Sequence, residues 1–346
     1  QEYKNNEKLK INHSYLVEQF ADYSKVFKEI EKVVKKGDYT LGNEVDLCEK
    51  NFAKRTGAKY AISVGNGTDA LLLSLKALDI GAGDEVITVP YTFVATVGSI
   101  VTAGAKPVFV DVKEDYNIDE TKIIKAITKK TKAIMPVHWA GRPCEMDKIQ
   151  SIAKKYKLKI IQDSAHIIGA RFKKNHLVNY GDTCTYSMHP LKNLNVWGDG
   201  GFIVTNKRSL AEKLFLIRNH GLKNRNNVEI FGYNSRLDTI QASVLLVKLK
   251  HYKEDIRMRQ QVAERYNDLL KNLLHIPHVK KNRTSVWAQY SIRVPLRDLV
   301  KEKLKEKGIP TAVYYPCPLH LQECFEYLGY KTGDFPVSEK VFNQFK

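Results

Sequence analysis

A mostly parallel α/β sheet with helices on both faces, followed by a smaller α+β unit, is the fold class that the sequence predicts. Two observations carry it. Between residues 60 and 205 short apolar runs alternate with helical stretches, and strands alternating with helices imply a mostly parallel sheet covered on both sides. After about residue 208 this alternation stops and long helical periodicity takes over. At 346 residues the chain is long enough for one large domain and one smaller one, and the spacing puts residues 1–240 in the first and 241–346 in the second.

The elements follow in order. Leu16, Phe20, Val26, Phe27, Ile30 and Val33 recur at helical spacing and predict an amphipathic helix over 14–34, ended by Gly37-Asp38. A second helix is expected over 43–56 with Val45, Leu47, Phe52 and Ala53 facing inward. Strands are then expected at 60–64, 85–89, 107–110, 133–137, in a run ending at Asp163, at 183–187 and at 202–205. Helices are expected between them at 69–77, 93–103, 119–127 and 146–156. Beyond 208 the pattern predicts helices at 209–218 and 239–272, a strand at 286–294, and a helix over 297–307 ended by Gly308. Residues 338–346 read as a helix still running where the sequence stops, so the smaller domain is expected to be truncated.

Composition narrows the function classes. Fifty-six Lys and Arg against 38 Asp and Glu leave a net charge of +18. Such an excess suits nucleic acid or an anionic small substrate. The lysines are spread along the chain as doublets (Lys35-Lys36, Lys129-Lys130, Lys154-Lys155, Lys173-Lys174), and no helix-turn-helix, zinc-finger or RNA-recognition signature accompanies them. That distribution argues against nucleic-acid binding and for solvated helix faces. No apolar run approaches a membrane span, and no signal-peptide pattern opens the sequence. Cys48, Cys144, Cys184, Cys317 and Cys324 are scattered, odd in number and without CxxC spacing, so reduced thiols in a cytoplasmic protein are expected, and no metal site.

The chemistry-bearing residues cluster at predicted strand ends. Asp163 closes the apolar run around Ile160-Ile161, and Lys192 lies just past the next strand in Ser187-Met188-His189-Pro190-Leu191-Lys192-Asn193. Ligands of open α/β sheets sit at such carboxyl ends. An amine that can condense with an aldehyde, and a carboxylate that can hold a pyridine nitrogen protonated, are what pyridoxal phosphate (PLP) chemistry needs. Gly65-Asn66-Gly67-Thr68-Asp69 follows a strand and opens a helix, so it reads either as a common Asn-Gly turn or as a phosphate cradle. Phe93, in Pro90-Tyr91-Thr92-Phe93, could be core or could stack on a cofactor ring. His138 could be a packed turn residue or a substrate contact, and Asn234 and Arg236 are possible donors to an anion. Tyr314-Tyr315-Pro316-Cys317-Pro318-Leu319-His320 makes a plausible rim for a polar ligand.

Taken in order, these motifs resemble the PLP-dependent sugar aminotransferases of the DegT/DnrJ/StrS family, in the fold type I (aspartate aminotransferase-like) class, from about residue 37 to the end. The series is Gly-x-Gly-Thr, Pro-x-Thr-aromatic, Asp163-Ser164-Ala165-His166, Ser-x-His-x-x-Lys, Gly198-Asp199-Gly200-Gly201, Gly-x-Asn-x-Arg and Tyr-Pro-x-Pro-Leu-His. The resemblance implies that Lys192 attaches the cofactor and shuttles protons, and that Asp163 pairs with the pyridinium nitrogen. It implies His166 near the ring hydroxyl, Gly67, Thr68 and Ser187 on the phosphate, and Phe93 on the ring face. Asn234 would reach the phosphate of a neighbouring subunit, giving a homodimer with shared sites. His138, Arg236 and His320 would serve the substrate. Gln162 stands where the family usually has Glu, and Asp199 where Glu is commoner. Family dehydratases carry His at the position of Lys192, so its presence argues for transamination.

The implied reaction is ping-pong transfer from L-glutamate to a keto-sugar, nucleotide-linked by preference and used in cell-surface polysaccharide. Members acting on an 8-keto eight-carbon sugar acid of lipopolysaccharide share part of the lysine motif. From other classes, a regulatory or nucleic-acid-binding protein that kept the fold is expected to have lost Lys192 or Asp163, and a purely structural PLP binder would show no half-reaction.

Overall fold

The computed structural model describes residues 11, 12 and 15–343. Its centre is a seven-stranded sheet. The chain enters through α1 (Leu16–Gln19), α2 (Tyr23–Lys36) and α3 (Asn43–Thr56). It then alternates β1 (Tyr60–Val64), α4 (Gly67–Ala77), β2 (Glu85–Thr88), α5 (Val94–Thr102), β3 (Lys106–Phe109), α6 (Ile123–Ala126), β4 (Thr131–Ile134), α7 (Met146–Tyr156) and β5 (Lys159–Asp163). A small hairpin of β6 (Arg171–Phe172) and β7 (Asn175–His176) precedes β8 (Thr183–Ser187) and β9 (Gly201–Thr205). The remainder is α8 (Arg208–Ile217), a hairpin of β10 (Leu222–Asn224) and β11 (Asn227–Val228), the 32-residue α9 (Thr239–Leu270), α10 (Arg297–Glu306) and α11 (Pro336–Asn343).

Strand order in the sheet is β1-β9-β8-β5-β4-β2-β3. The pairs from β8 to β3 are parallel, and β9 alone runs antiparallel to both its neighbours. This is the mostly parallel α/β sheet expected. Alternation along β9 explains why both faces need helices. Phe202 and Val204 join the larger core, where Phe202 stacks at 4.2 Å on Phe52 of α3 and Tyr186 meets Phe52 edge-on at 5.2 Å. Ile203 points the other way, into a core with Leu73 of α4 and Leu214 of α8. One face of the first half of α9, from Thr239 to Tyr252, is buried, and the helix packs on α2 and α3. Among the described residues no helix is long and apolar enough to cross a membrane.

Four details differ from the sequence pattern, each for a local reason. The single helix expected over 14–34 breaks at Phe20, whose ring turns inward to meet Trp197 at 5.7 Å and the Lys248 ammonium at 4.3 Å; residue 14 lies outside the described residues. Leu47 is exposed, because the buried stripe of α3 runs through Val45, Cys48, Phe52 and Thr56. The helix expected over 119–127 shrinks to four residues, since Asp119 Oδ1 accepts from both the N–H (3.1 Å) and the hydroxyl (2.6 Å) of Thr121 and competes with helical bonding. The strand expected at 286–294 does not form. Trp287 sits in the left-handed region at φ 46, and backbone carbonyls there are taken by side chains, with Asn193 donating to Val286 O at 2.8 Å and Gln260 to Ser285 O at 3.2 Å. Of the terminal stretch 338–346, residues 344–346 lie outside the described residues.

Two buried polar clusters join the layers. Glu49 of α3 pairs with Arg218 just past α8, and both bond Ser63 of β1: Glu49 Oε1 accepts from the Ser63 N–H at 2.9 Å and hydroxyl at 2.7 Å, and Arg218 Nη1 donates to Ser63 O at 2.9 Å. Under the site-bearing end of β5, the His138 imidazole has Nε2 3.0 Å from Gln162 Oε1 while Nδ1 accepts from the Cys144 N–H at 3.1 Å. The ring is buried with both nitrogens used, so His138 is a packed scaffold residue, and the expectation of a substrate contact is corrected.

Removing one partner of a buried ion pair strands the other, so Glu49→Ala should cost about 3–5 kcal/mol in urea unfolding, with Glu49→Leu/Arg218→Met recovering much of it; equal losses in both would refute the pairing argument. Burial, opposed by the Gln162 contact, holds the His138 imidazole down to about 4. Between about pH 4 and 6.5 the unfolded chain therefore binds the extra proton, so this group's contribution rises with pH and is lost on acidification, by up to about 3 kcal/mol. A stability–pH series should lose that slope in His138→Gln, and parallel curves would count against it.

Candidate active site

Loops at the carboxyl ends of β1, β2, β5 and β8 carry the chemistry. At the end of β1, Asn66 caps α4 by accepting the Asp69 N–H at 2.8 Å. Beyond the cap, the N–H groups of Gly67 and Thr68 have no partner among the described residues, and Thr68 is exposed. Unpartnered donors at the positive end of a helix suit an anion. The turn presses against β8 and β9: a side chain on Gly67 would begin 2.6 Å from Ser187 Cβ, and one on Gly201 would begin 2.3 Å from Asn66 O. Close approach, more than backbone freedom, is why these two positions are glycine. Ser187 is thus brought directly beside Gly67.

Asp163 is buried at the end of β5. Its Oδ2 accepts from Thr96 Oγ1 at 2.7 Å and its Oδ1 from the Ala165 N–H at 3.2 Å. Burial pushes its carboxyl up, and the two donors and nearby Lys192 restrain that rise. Lys192 Nζ lies 2.8 Å from His166 Nε2. Burial pulls the Lys192 ammonium down, opposed by Asp163. It pulls His166 well below its ordinary range, with Lys192 adding to the effect. A lysine so placed is a better base near neutrality than a solvated one.

Phe93 stands at the entrance to α5 and is 56% exposed, which removes the core reading of that aromatic. Around it the structure adds what sequence reasoning missed. Thr92 and Thr96 hydroxyls lie 2.9 Å apart, and Thr96 is the donor to Asp163. Two threonines four apart at the start of an otherwise apolar helix were the available signal. Ser235 is a second omission: its hydroxyl donates to Asp69 Oδ2 at 2.7 Å and accepts the Gly65 N–H at 3.0 Å, tying the 232–236 segment to the turn after β1.

The remaining expected residues fall elsewhere or on other partners. Asn234 is exposed and bridges Asn219. Arg236 is half-buried and donates to Asn219 Oδ1 at 3.0 Å, so its guanidinium is engaged within its own chain. His320 is buried, with Nε2 3.0 Å from Glu339 and its ring 4.7 Å from Phe335, so it packs behind its loop and does not line an open rim. That loop still abuts the site, because the Leu319 N–H donates to Pro90 O at 2.8 Å.

An aromatic face, a buried carboxylate with two donors, a shielded amine and free helix-terminal N–H groups fit pyridoxal phosphate. Among the described residues, no group of three or more His, Cys, Asp or Glu could hold a metal ion. Three similar proteins are informative. A "Pleiotropic regulatory protein" of Geobacillus stearothermophilus is 44% identical over 91% of this chain and 86% of its own. The UDP-2-acetamido-2-deoxy-3-oxo-D-glucuronate aminotransferase of Pseudomonas aeruginosa is 42% identical over 92% and 89%. The crystal structure of S. venezuelae DesV in complex with a ketimine intermediate superposes with a TM-score of 0.92 at 34% identity, covering 95% of this chain and 90% of that one. Other solved neighbours are in PLP or PMP forms. Residues 22–345 match the model of the DegT/DnrJ/EryC1/StrS aminotransferase family. The chain therefore belongs to that family of PLP-dependent sugar aminotransferases.

Proposed function

We propose that this enzyme transfers the amino group of L-glutamate to a nucleotide-linked (UDP, dTDP or GDP) keto-sugar, in two half-reactions at one site, for cell-surface polysaccharide. The shielded Lys192 amine beside His166, facing the buried Asp163, is the observation that carries the catalytic reading. The named sugar-nucleotide relative from P. aeruginosa supports the acceptor class.

When bound, pyridoxal phosphate supplies the electron sink and stores the amino group between the half-reactions. Asp163, steadied by Thr96 and the Ala165 N–H, keeps the ring nitrogen protonated. Lys192 Nζ, uncharged, would take the donor's α-proton and return it to the cofactor carbon two atoms along, and in the second half-reaction do the reverse. His166 orients that amine. Phe93 covers the ring face, and Gly67, Thr68 and Ser187 grip the phosphate. Asn234, exposed on its loop, completes that grip from a second copy, which makes the working form a homodimer. The presence of both Lys192 and Asp163 speaks against a regulatory role without catalysis. We place the enzyme in the cytoplasm and take its smaller domain to start at residue 241.

The test is an absorbance titration of the PLP-loaded protein with L-glutamate, followed by a panel of UDP-, dTDP- and GDP-keto-sugars and an 8-keto eight-carbon sugar acid. Glutamate should replace the visible cofactor band with a near-ultraviolet one, and a nucleotide keto-sugar should restore it. Restoration by the sugar acid alone would overturn the acceptor assignment. Lys192→Ala should lose the visible band and turnover together; retention of both would overturn the site. Thr96→Val removes a hydrogen bond to a buried charge, worth about 1.5–3 kcal/mol, so PLP affinity should fall by ~10- to 100-fold in equilibrium dialysis. Unchanged affinity would mean Asp163 does not depend on that donor.

A further inference from the structure

A cavity of about 520 Å³ opens between the loop after β3, the turn after β4 and residues 275–293. None of its lining residues is hydrogen-bonded to Asp163, His166 or Lys192. Arg142 lines it and is only 5% exposed. Its guanidinium lies 5.4 Å from the Trp139 ring and 5.7 Å from the Tyr116 ring; among the described residues it makes no hydrogen bond or ion pair, and Asp115 is the carboxylate whose charge acts on it without touching it. Arg293 covers the same phenol at 5.0 Å. Its Nε donates to the Tyr116 hydroxyl at 2.7 Å, and its Nη2 to the carbonyl of Glu114. Two guanidinium groups thus share one ring, and the hydrogen-bond acceptors of Arg293 are neutral oxygens.

Neighbouring charges do not resolve this. Arg283 and Lys280 are both spent on Glu145, at 2.7 and 2.6 Å, and Lys113 on Glu120 at 2.5 Å. The cavity's own carboxylates, Glu114, Asp115 and Asp119, make no ion pair with Arg142 or Arg293 among the described residues. A buried guanidinium whose N–H groups have no hydrogen-bonded acceptor is disfavoured even with Asp115 nearby, and a second guanidinium on the same ring adds repulsion. Guanidinium pairs match the geometry of phosphate and carboxylate oxygens, and a space of this size admits a small metabolite. We propose that this cavity is a second ligand site, in which Arg142 and Arg293 together bind the oxyanion, phosphate or carboxylate, of a small molecule. Tyr116, which lines it, packs on Tyr91 at 5.6 Å and on Trp139 at 4.4 Å.

Calorimetric titration of the PLP-loaded enzyme with inorganic pyrophosphate and, separately, citrate tests the assignment. One saturable site per subunit is expected, weakened at least tenfold by Arg142→Met and by Arg293→Met and less by Arg142→Lys, with the cofactor spectrum and the glutamate half-reaction unchanged. Preference for pyrophosphate would identify a phosphate-bearing ligand, and preference for citrate a carboxylate-bearing one. Arg293 is partly exposed, so its variant carries the test if Arg142→Met fails to fold. The proposal is overturned if neither anion binds, if binding is indifferent to Arg293→Met and Arg142→Lys, or if the anion displaces the cofactor.

Discussion

Withdrawal of water from the carboxyl ends of the parallel strands is the constraint on which this molecule depends. It acts in opposite directions on the groups that matter, pushing Asp163 toward its neutral acid and Lys192 toward its neutral amine. The second effect suits a base. The first opposes the need for a carboxylate, and the structure answers it with two donors on Asp163, one from a helix side chain and one from the backbone. The covered sheet is therefore part of the chemistry: an edge open to solvent would leave Lys192 an ordinary ammonium.

Support for the site comes from contacts with little slack. Gly201 and Gly67 let β8, β9 and the start of α4 approach until backbone meets side chain, which fixes where the free N–H groups stand relative to Ser187. Beneath β5, Gln162 is bonded to His138 on one side and donates to Leu177 O at 3.0 Å on the other. A neutral amide can donate and accept at once, and a glutamate carboxylate could only accept. A glutamate at this position could still accept from His138 but would leave the Leu177 carbonyl without its donor.

Much of this was legible in the residues. Strands between 60 and 205 are short apolar runs because both faces are buried, and that gives them sharp ends. Lys192 and Asp163 were legible because few reactions require that pair at neighbouring strand ends. The histidines were not. Whether His138 or His320 meets a substrate depends on whether the protein supplies partners for its ring nitrogens, and those partners, Gln162, Cys144 and Glu339, come from the fold and not from the local motif. Phe93 resisted reading for the converse reason, since an aromatic at a helix start is usually core and this one is exposed. The alternation over 286–294 misled because a positive φ at Trp287 leaves no mark in hydrophobic pattern.

The antiparallel strand β9 has a further bearing on how the molecule is made. Tyr60–Val64 pairs with nothing but Gly201–Thr205 in the sheet, so the first strand synthesised has no edge to join until the ninth has left the ribosome. Strands β2 to β5 can assemble from nearby chain, but β1 must wait, apolar and unpaired, through most of the large domain's synthesis. Long-range pairing of this kind slows folding and leaves strand edges exposed to association with other chains. Since the turn at Gly67 packs against β8 and β9, its final position depends on strands that come later in the chain.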